Sequence, residues 1–354
     1  MRITLILPFP VTKPVGGARI VYEYANRFSD HGHQVVILHA LKRPFKKMKS
    51  PLWWKRLIFT LRGAARPSWF PLHAQVDARI VDEIADPFVP DADIIFSTWW
   101  QMTYAIAKLS PSKGTPINLV QDFENWGGQE QLVLASYRLP VKHAAISAWL
   151  VKLVETESGL PVQLLPNAID TTSFTIQQPI TERPAASVLA LYSEENRKGT
   201  AYIAGALSKL KENIPALQFT FFGVYPRPTS LPAWVNYFQK PTHLSALYNQ
   251  HAIFLSASLG EGWALPPAEA MACGCAVICT DIGGHADYAV DQETACLIPT
   301  QNSAAIILAV SHLIQKNEMR FKIAKKGHQF LLENYSWDHS VTRALDWFTS
   351  FENE

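Results

Sequence analysis

The chain has 354 residues, 48% hydrophobic and 18% charged, which is too long for one ordinary core and fits a soluble enzyme of two domains. A formal net charge of +2 gives no general attraction for nucleic acid, so no nucleic-acid partner is expected. No run reaches the roughly 18 apolar residues of a spanning helix. Cys273, Cys275, Cys279 and Cys296 lack the paired spacing of a zinc site, so no metal is expected at them.

Residues 1–10 are apolar after Arg2, carry Pro8 and Pro10 and lack a small-residue cleavage site, so they read as a first strand rather than a secretory leader. Apolar runs at 3–7, 35–38, 94–97 and 117–121 predict strands of one sheet, with helical patterns between them, for example over 18–29. A second series of strands is predicted at 188–192, 219–223, 253–256, 276–279 and 296–298. Strand–helix alternation of this kind implies parallel sheets with crossover helices. The segment 164–184, holding Pro166, Pro179 and Pro184 and little periodicity, marks the hinge. The expected fold is therefore α/β, two doubly wound Rossmann-like domains facing across a cleft, one over 1–165 and one over 166–336.

The first turn of each domain is placed to meet phosphate. Gly16-Gly17 opens the first helix after the first strand, where backbone without Cβ can approach a ligand. The dinucleotide fingerprint G-x-G-x-x-G is absent there. In the second domain, the turn 192–200 holds Arg197 and Lys198, which can neutralise a diphosphate leaving group without a metal; the alternative is a solvated loop, given Glu194 and Glu195.

The densest signal lies at 258–276. Glu261 sits on a Gly-rich turn after an apolar strand, beside an exposed-looking Trp263, and Glu269 follows just inside a helix that begins near Pro266 and Pro267. A helix tip attracts phosphate and two acids accept hydroxyl protons, so the natural ligand is a nucleotide sugar. The alternative is that the two glutamates share this spacing by chance and that Glu269 simply favours the helix dipole. In the first domain, Gln121, Asp122, Glu124 and Trp126 follow a strand. Asp122 or Glu124 either orients an acceptor hydroxyl as its base, or caps a helix, or pairs with Arg138 or Lys142. Trp99, Trp100 and Trp126 either stack on a sugar or pack in the core.

Between Asp30 and Asp77 there is no acidic residue, while basic residues from Lys42 to Arg66 alternate with Phe45, Trp53, Trp54, Leu57 and Leu61. This describes an interfacial segment for an anionic membrane, or else a surface loop with a buried apolar stripe.

Together, Gly16-Gly17, Gly32-His33-Gln34-Val35, Pro166-Asn167-Ala168-Ile169-Asp170, Lys198-Gly199, the Glu261-x7-Glu269 pair within Ala270-Met271-Ala272-Cys273-Gly274, and Ile282-Gly283-Gly284 resemble the retaining GT-B glycosyltransferases of family four, group 1. The resemblance covers nearly the whole length. It implies that Glu261 holds donor-sugar hydroxyls, with backbone N–H groups of Gly262, Trp263, Ala264 and Leu265 around sugar and phosphates. It also implies that Glu269 binds the ribose, that Gly17 and Lys198 meet the diphosphate, and that helix 337–354 returns to the first domain. No cofactor or metal is implied, and the leaving phosphate helps deprotonate the acceptor. Tyr192-Ser193 stands where such enzymes commonly have Gly-Arg, leaving the second phosphate cation to Arg197. Gln121-Asp122 stands where many have His. The Val-Gln-Asp-Phe-Glu form resembles a subgroup from bacterial surface-polysaccharide loci that includes rhamnosyltransferases.

The expectation is a cytoplasmic enzyme, peripheral at the inner face of the plasma membrane, with Glu261, Lys198 and Asp122 catalytic and a glycan or lipid-linked acceptor. The alternatives are a nucleotide-sugar epimerase or glycan phosphorylase on the same frame, or a non-catalytic nucleotide-sugar-binding partner.

Overall fold

The computed structural model describes residues 1–351; residues 352–354, the end of the expected returning helix, lie outside the described residues. The chain divides into two compact units, one of residues 1–167 with Ser340 onward, the other of residues 168–339.

In the first unit, strands β1 (Arg2–Leu7), β2 (Gln34–Ala40), β3 (Asp77–Val81), β4 (Ile94–Thr98), β5 (Thr115–Val120), β6 (Lys142–Ala145) and β7 (Gln163–Leu164) form a parallel sheet in the order β3-β2-β1-β4-β5-β6-β7. Ile3 pairs in register with Val35 on one side and Ile94 on the other. Central strands of a sheet covered on both faces read as unbroken apolar runs, which is why these were legible. Helices α1 (Gly16–Asp30), α2 (Leu52–Leu61), α3 (Trp100–Ile106), α4 (Glu130–Ser136) and α5 (Ala148–Ser158) connect them. Helix α1 buries Ile20, Val21, Tyr24, Ala25 and Phe28, an apolar stripe at helical spacing.

In the second unit, β8 (Ser187–Leu191), β9 (Gln218–Gly223), β10 (Asn236–Gln239), β11 (Ile253–Ser256), β12 (Ala276–Thr280) and β13 (Cys296–Ile298) form a parallel sheet ordered β10-β9-β8-β11-β12-β13. Helices α6 (Thr200–Asn213), α7 (Leu244–Asn249), α8 (Leu265–Ala272), α9 (Gly283–Ala286), α10 (Ser303–Gln315) and α11 (Asn317–Asn334) belong to it. The last helix, α12 (Trp337–Ser350), buries Phe348 against Phe28 and Phe96 of the first unit's core, with ring centroids 5.8 Å apart in both pairs.

Each sheet reverses its order beside its first strand, between β1 and β4 and between β8 and β11. In open α/β sheets, ligands bind outside the carboxyl ends of the strands at such points. The turns that leave β1, β4, β8 and β11 are those that carry Gly16-Gly17, Trp99, Lys198 and Glu261.

Strands β3, β6, β7 and β10 were not predicted. β3 and β10 are edge strands with exposed, polar positions, β7 has two residues and β6 is Lys-His-Ala-Ala, so none presents an apolar run. All four cysteines are free thiols and three are buried; burial pushes Cys273 up to about 11 and Cys275 up to about 12, as inert core thiols require. Among the described residues, no helix is long and apolar enough to cross a membrane. Helix α2 has no buried residue, and Trp53 is 67% and Leu61 78% exposed. Leu52, Ile58 and Phe59 are half-buried, so the apolar stripe of this segment is partly covered and partly open.

Candidate functional site

The turn after β11 holds Glu261 in a cage of donors. Lys198 Nζ donates to Oε1 at 2.7 Å and to Oε2 at 2.9 Å, and Ser258 Oγ donates to Oε1 at 2.8 Å. Arg197 Nη1 reaches Oε2 at 3.5 Å while its Nε bonds Glu195 at 3.0 Å. Glu261 is buried. Burial alone would raise its pKa, but the charges of Lys198 and Arg197 outweigh that and hold the carboxyl below its ordinary value. The solvated-loop alternative for the 192–200 turn is thus wrong for Lys198, which is turned inward.

Two glycines make this approach possible. Gly199 has φ +67°, and a Cβ there would lie 1.8 Å from the Ala257 carbonyl oxygen. At Gly284 a Cβ would lie 2.3 Å from the Glu261 carbonyl oxygen. Leu259 N–H also donates to the Arg197 carbonyl at 2.7 Å, tying the two turns together.

Helix α8 begins with Pro266 and Pro267 in its first turn, where missing N–H groups leave no partner unmet. The Ala264 N–H donates to the Gly284 carbonyl at 3.2 Å. Fewer donors therefore face outward from this helix tip than the sequence suggested. Glu269 is buried and accepts from Tyr248 Oη at 3.1 Å. Trp263, read as exposed, is 4% exposed; its ring packs on Tyr288 and Tyr335. Glycines beside an aromatic imitate an exposed turn, whereas partners distant in sequence cover it.

Sequence reasoning missed Ser258, Thr280 and His285. Thr280 Oγ1 donates to the Ser258 carbonyl at 2.5 Å. His285 is buried, its Nδ1–H donates to the Thr280 carbonyl at 2.7 Å, and burial lowers its pKa, so it is a neutral imidazole. At the end of β8, Tyr192 meets Tyr225 and Tyr237 edge-on.

In the first unit, Gln121 Nε2 donates to the Gly17 carbonyl at 3.0 Å and to Thr98 Oγ1 at 2.9 Å. The glycine turn and the strand that replaces the usual His are thereby brought together. Gly16 is the first residue of α1. Asp122 Oδ1 accepts from the Phe123 N–H at 2.9 Å. Glu124 Oε2 accepts from the Trp100 N–H at 2.8 Å, at the start of α3. For Glu124 the capping alternative is the one realised. Pairing with Arg138 is not, because that guanidinium bonds Glu157 at 2.8 Å; Lys142 lies over the Phe351 ring. Burial pushes the Glu124 carboxyl up to about 8, against the Trp100 N–H, with Asp122 adding repulsion.

Of the three tryptophans, Trp100 is buried and stacks on Phe45 with centroids 5.5 Å apart. Trp99 has φ +81°, a strained conformation for a bulky residue, and meets Phe9 edge-on. Trp126 is 53% exposed.

Residues 185–316 match the family model described as glycosyl transferases group 1. Over 362 residues the chain is 23% identical to a phosphatidyl-myo-inositol mannosyltransferase of Mycolicibacterium smegmatis, covering 95% of this chain and 90% of that one. It is 29% identical over 134 residues, 35% of its length, to one component of the phosphatidylinositol N-acetylglucosaminyltransferase of Homo sapiens, and spans 28% of that relative's length. Among solved structures, Anabaena HepE in complex with UDP is similar at a TM-score of 0.75 and 12% identity, covering 99% of this chain and 100% of that one. A sucrose-phosphate synthase from Thermosynechococcus elongatus gives 0.73 at 14% identity, covering 99% of each. The fold is thus α/β, with two parallel-sheet Rossmann-like domains as in GT-B glycosyltransferases, and the group 1 match lies within the second unit.

Proposed function

We propose that this protein is a retaining glycosyltransferase that moves a sugar from a nucleoside diphosphate to a saccharide or lipid-linked glycan, in bacterial surface-polysaccharide synthesis. The observation that carries the reading is Glu261, buried yet kept ionised by Lys198 and Arg197 at the end of β11, inside the matched group 1 region. A bound diphosphate competes with Glu261 for those two cations. That frees the carboxylate for sugar hydroxyls, while Glu269 takes the ribose and the tyrosines near Tyr192 face the base.

In the reaction, an acceptor hydroxyl oxygen bonds to the anomeric carbon as the bond from that carbon to the phosphate oxygen breaks. The bonding electrons leave with the diphosphate, whose charge Lys198 and Arg197 stabilise. The hydroxyl proton passes to the departing phosphate. With two fixed cations, no metal is required. On the first unit, Gln121 and Asp122 after β5, with Trp99 after β4 and the exposed Trp126, are assigned to the acceptor. A deoxyhexose donor such as dTDP-rhamnose is favoured by the Gln121-Asp122 form, and the exposed apolar and basic surface of α2 rests on the cytoplasmic face of the membrane.

The test is a thermal-shift screen of UDP, dTDP and GDP sugars, followed by turnover of Glu261→Gln with chelator present. We expect one nucleotide class to raise the melting temperature. Glu261→Gln should lower turnover on the order of 100-fold, with nucleotide binding kept. Unchanged turnover defeats the role of Glu261, and loss of activity on chelation defeats the metal-free reading. Flotation with anionic vesicles tests the membrane assignment, which fails if deleting 42–66 leaves flotation unaltered.

A further inference from the structure

A cavity of about 700 Å³ lies within the first unit, away from the Glu261 turn in sequence and lined by the 42–47 loop after β2, residues 83–86 after β3, and helix α3 with the residues that follow it. Its volume is in the range of small-molecule sites. Five cations border it: Lys42, Arg43, Lys46, Lys47 and Lys108. Two acids, Glu83 and Asp86, also border it, and both are engaged. Glu83 pairs with Lys42 at 2.7 Å, and Asp86 accepts the Ser110 N–H at 3.0 Å.

Arg43, Lys46, Lys47 and Lys108 have no carboxylate within ion-pair distance among the described residues. The Arg43 guanidinium is fixed over Phe9 and Trp99, 5.2 and 5.7 Å from their centroids, and its Nη1 is buried with no acceptor. Lys46 lies below the usual amine range, chiefly because Arg43 repels it. Four cations outside any ion pair border this half-open space, and Arg43, with only the more distant Glu124 attracting it, is partly desolvated and pre-oriented; such a set calls for a multiply charged anion. Phe45, Met102 and Leu109 give the same cavity an apolar wall. The chain then runs directly into α2, whose exposed side chains include Trp53, Trp54, Leu57 and Leu61.

We infer that this cavity binds a phosphate or diphosphate ester, with the charged group on Arg43, Lys46 and Lys108 and its organic portion toward Phe45. The site stands on its own geometry; its use for the phosphate of an acceptor rests on the transferase reading.

The experiment titrates pyrophosphate and, separately, geranyl diphosphate into the full chain by calorimetry, with UDP saturating in cell and syringe. The variants are Lys46→Glu/Lys108→Glu, both exposed positions, and Arg43→Met. Each is expected to weaken both ligands tenfold or more, with the UDP-induced thermal shift kept as proof of folding. A lipid ester is indicated if geranyl diphosphate binds at least tenfold tighter than pyrophosphate and loses that margin in Trp53→Ser/Leu57→Ser. Equal affinities assign the site to a free phosphate group. Affinities unaltered by the charge-reversed pair overturn the site. A missing shift with UDP, dTDP and GDP alike in the unsubstituted chain counts against the transferase reading alone, because the pyrophosphate comparison still reports on the cavity.

Discussion

Two glutamates follow strand ends in the two units and meet opposite fates. Glu261, after β11, is held below its ordinary pKa by Lys198 and Arg197 in spite of burial. Glu124, after β5, is pushed up to about 8, with only a backbone N–H as its strong partner and Arg43 as a weaker attraction. Desolvation raises both carboxyls, so the closeness of a cation decides which is a charge and which is a neutral cap near pH 7: Lys198 bonds Glu261 directly, whereas Arg43 attracts Glu124 only weakly. A group that must release its cations to a diphosphate has to start ionised. A group that closes the first turn of α3 can serve protonated, accepting through its carbonyl-like oxygen. This difference supports Glu261, rather than Glu124, as the residue that faces the donor.

The largest effect expected on that contrast comes from Gly199→Ala. The backbone is left-handed there and the new Cβ would strike the Ala257 carbonyl, so the turn that presents Lys198 must move. We expect a loss of about 3 kcal/mol or more in denaturant unfolding. A variant within about 0.5 kcal/mol of the parent shows that the turn yields freely and that Lys198 is not fixed by it.

Next comes Lys198→Met, which leaves the Glu261 carboxylate buried with Ser258 and a more distant Arg197. The expected loss is about 2 kcal/mol, below the roughly 3–5 kcal/mol of a fully buried broken pair because Lys198 keeps some solvent contact. Adding Glu261→Gln to the same chain should restore most of it, and a double-mutant cycle measures the coupling. The pH dependence has a definite sign. A depressed carboxyl contributes stability above the unfolded pKa of about 4.3, lost as pH falls through the folded value. That acid-side loss should shrink in Lys198→Met; a cycle with no coupling removes the pair from the account of how Glu261 stays charged.

The opposite slope belongs to Glu124. Its folded pKa is raised, so the stability tied to its protonated form is present in full below the unfolded pKa and is lost as pH climbs through about 8. Glu124→Gln keeps an acceptor for the Trp100 N–H and cannot ionise. Its stability should match the parent only below about pH 4 and exceed it increasingly up to pH 8, the gap widening by at most about 1.4 kcal/mol per pH unit. Parallel curves across that window would mean that Glu124 is ionised in the folded chain.

How much of this was legible depended on distance along the chain. The central strands, Glu261, Glu269 and the Arg197-Lys198 turn are written in contiguous apolar runs and Gly-rich turns. Edge strands such as β3 and β10 expose one side to water and carry no such run. The partners of Glu261 were mixed: Lys198 stood in a turn that could be named, while Ser258 is one hydroxyl among many. Its link to Thr280 spans 22 residues. Trp263 was misread because Tyr288 and Tyr335, which cover it, lie in later elements. The cationic cavity needs three separated segments, and no single stretch announces it.

The smallest effect is expected from Ser258→Ala, and it probes the cage most finely. Ser258 is buried and donates to Glu261 Oε1, the same oxygen that receives Lys198. Removing a donor to a charged acceptor destabilises by about 1–2 kcal/mol, here toward the lower figure because Lys198 remains. The Glu261 pKa should move up, since Ser258 is among the groups that lower it, so acid-induced loss should begin at higher pH than in the parent. As a positioning residue, Ser258 should alter turnover more than nucleotide affinity, and Ser258→Thr, which keeps the hydroxyl, should recover part of it. If Ser258→Ala and Ser258→Thr behave alike in both the acid limb and the turnover-to-KM split, the hydroxyl has no part in holding Glu261. Lys198 alone would then set both its charge and its direction.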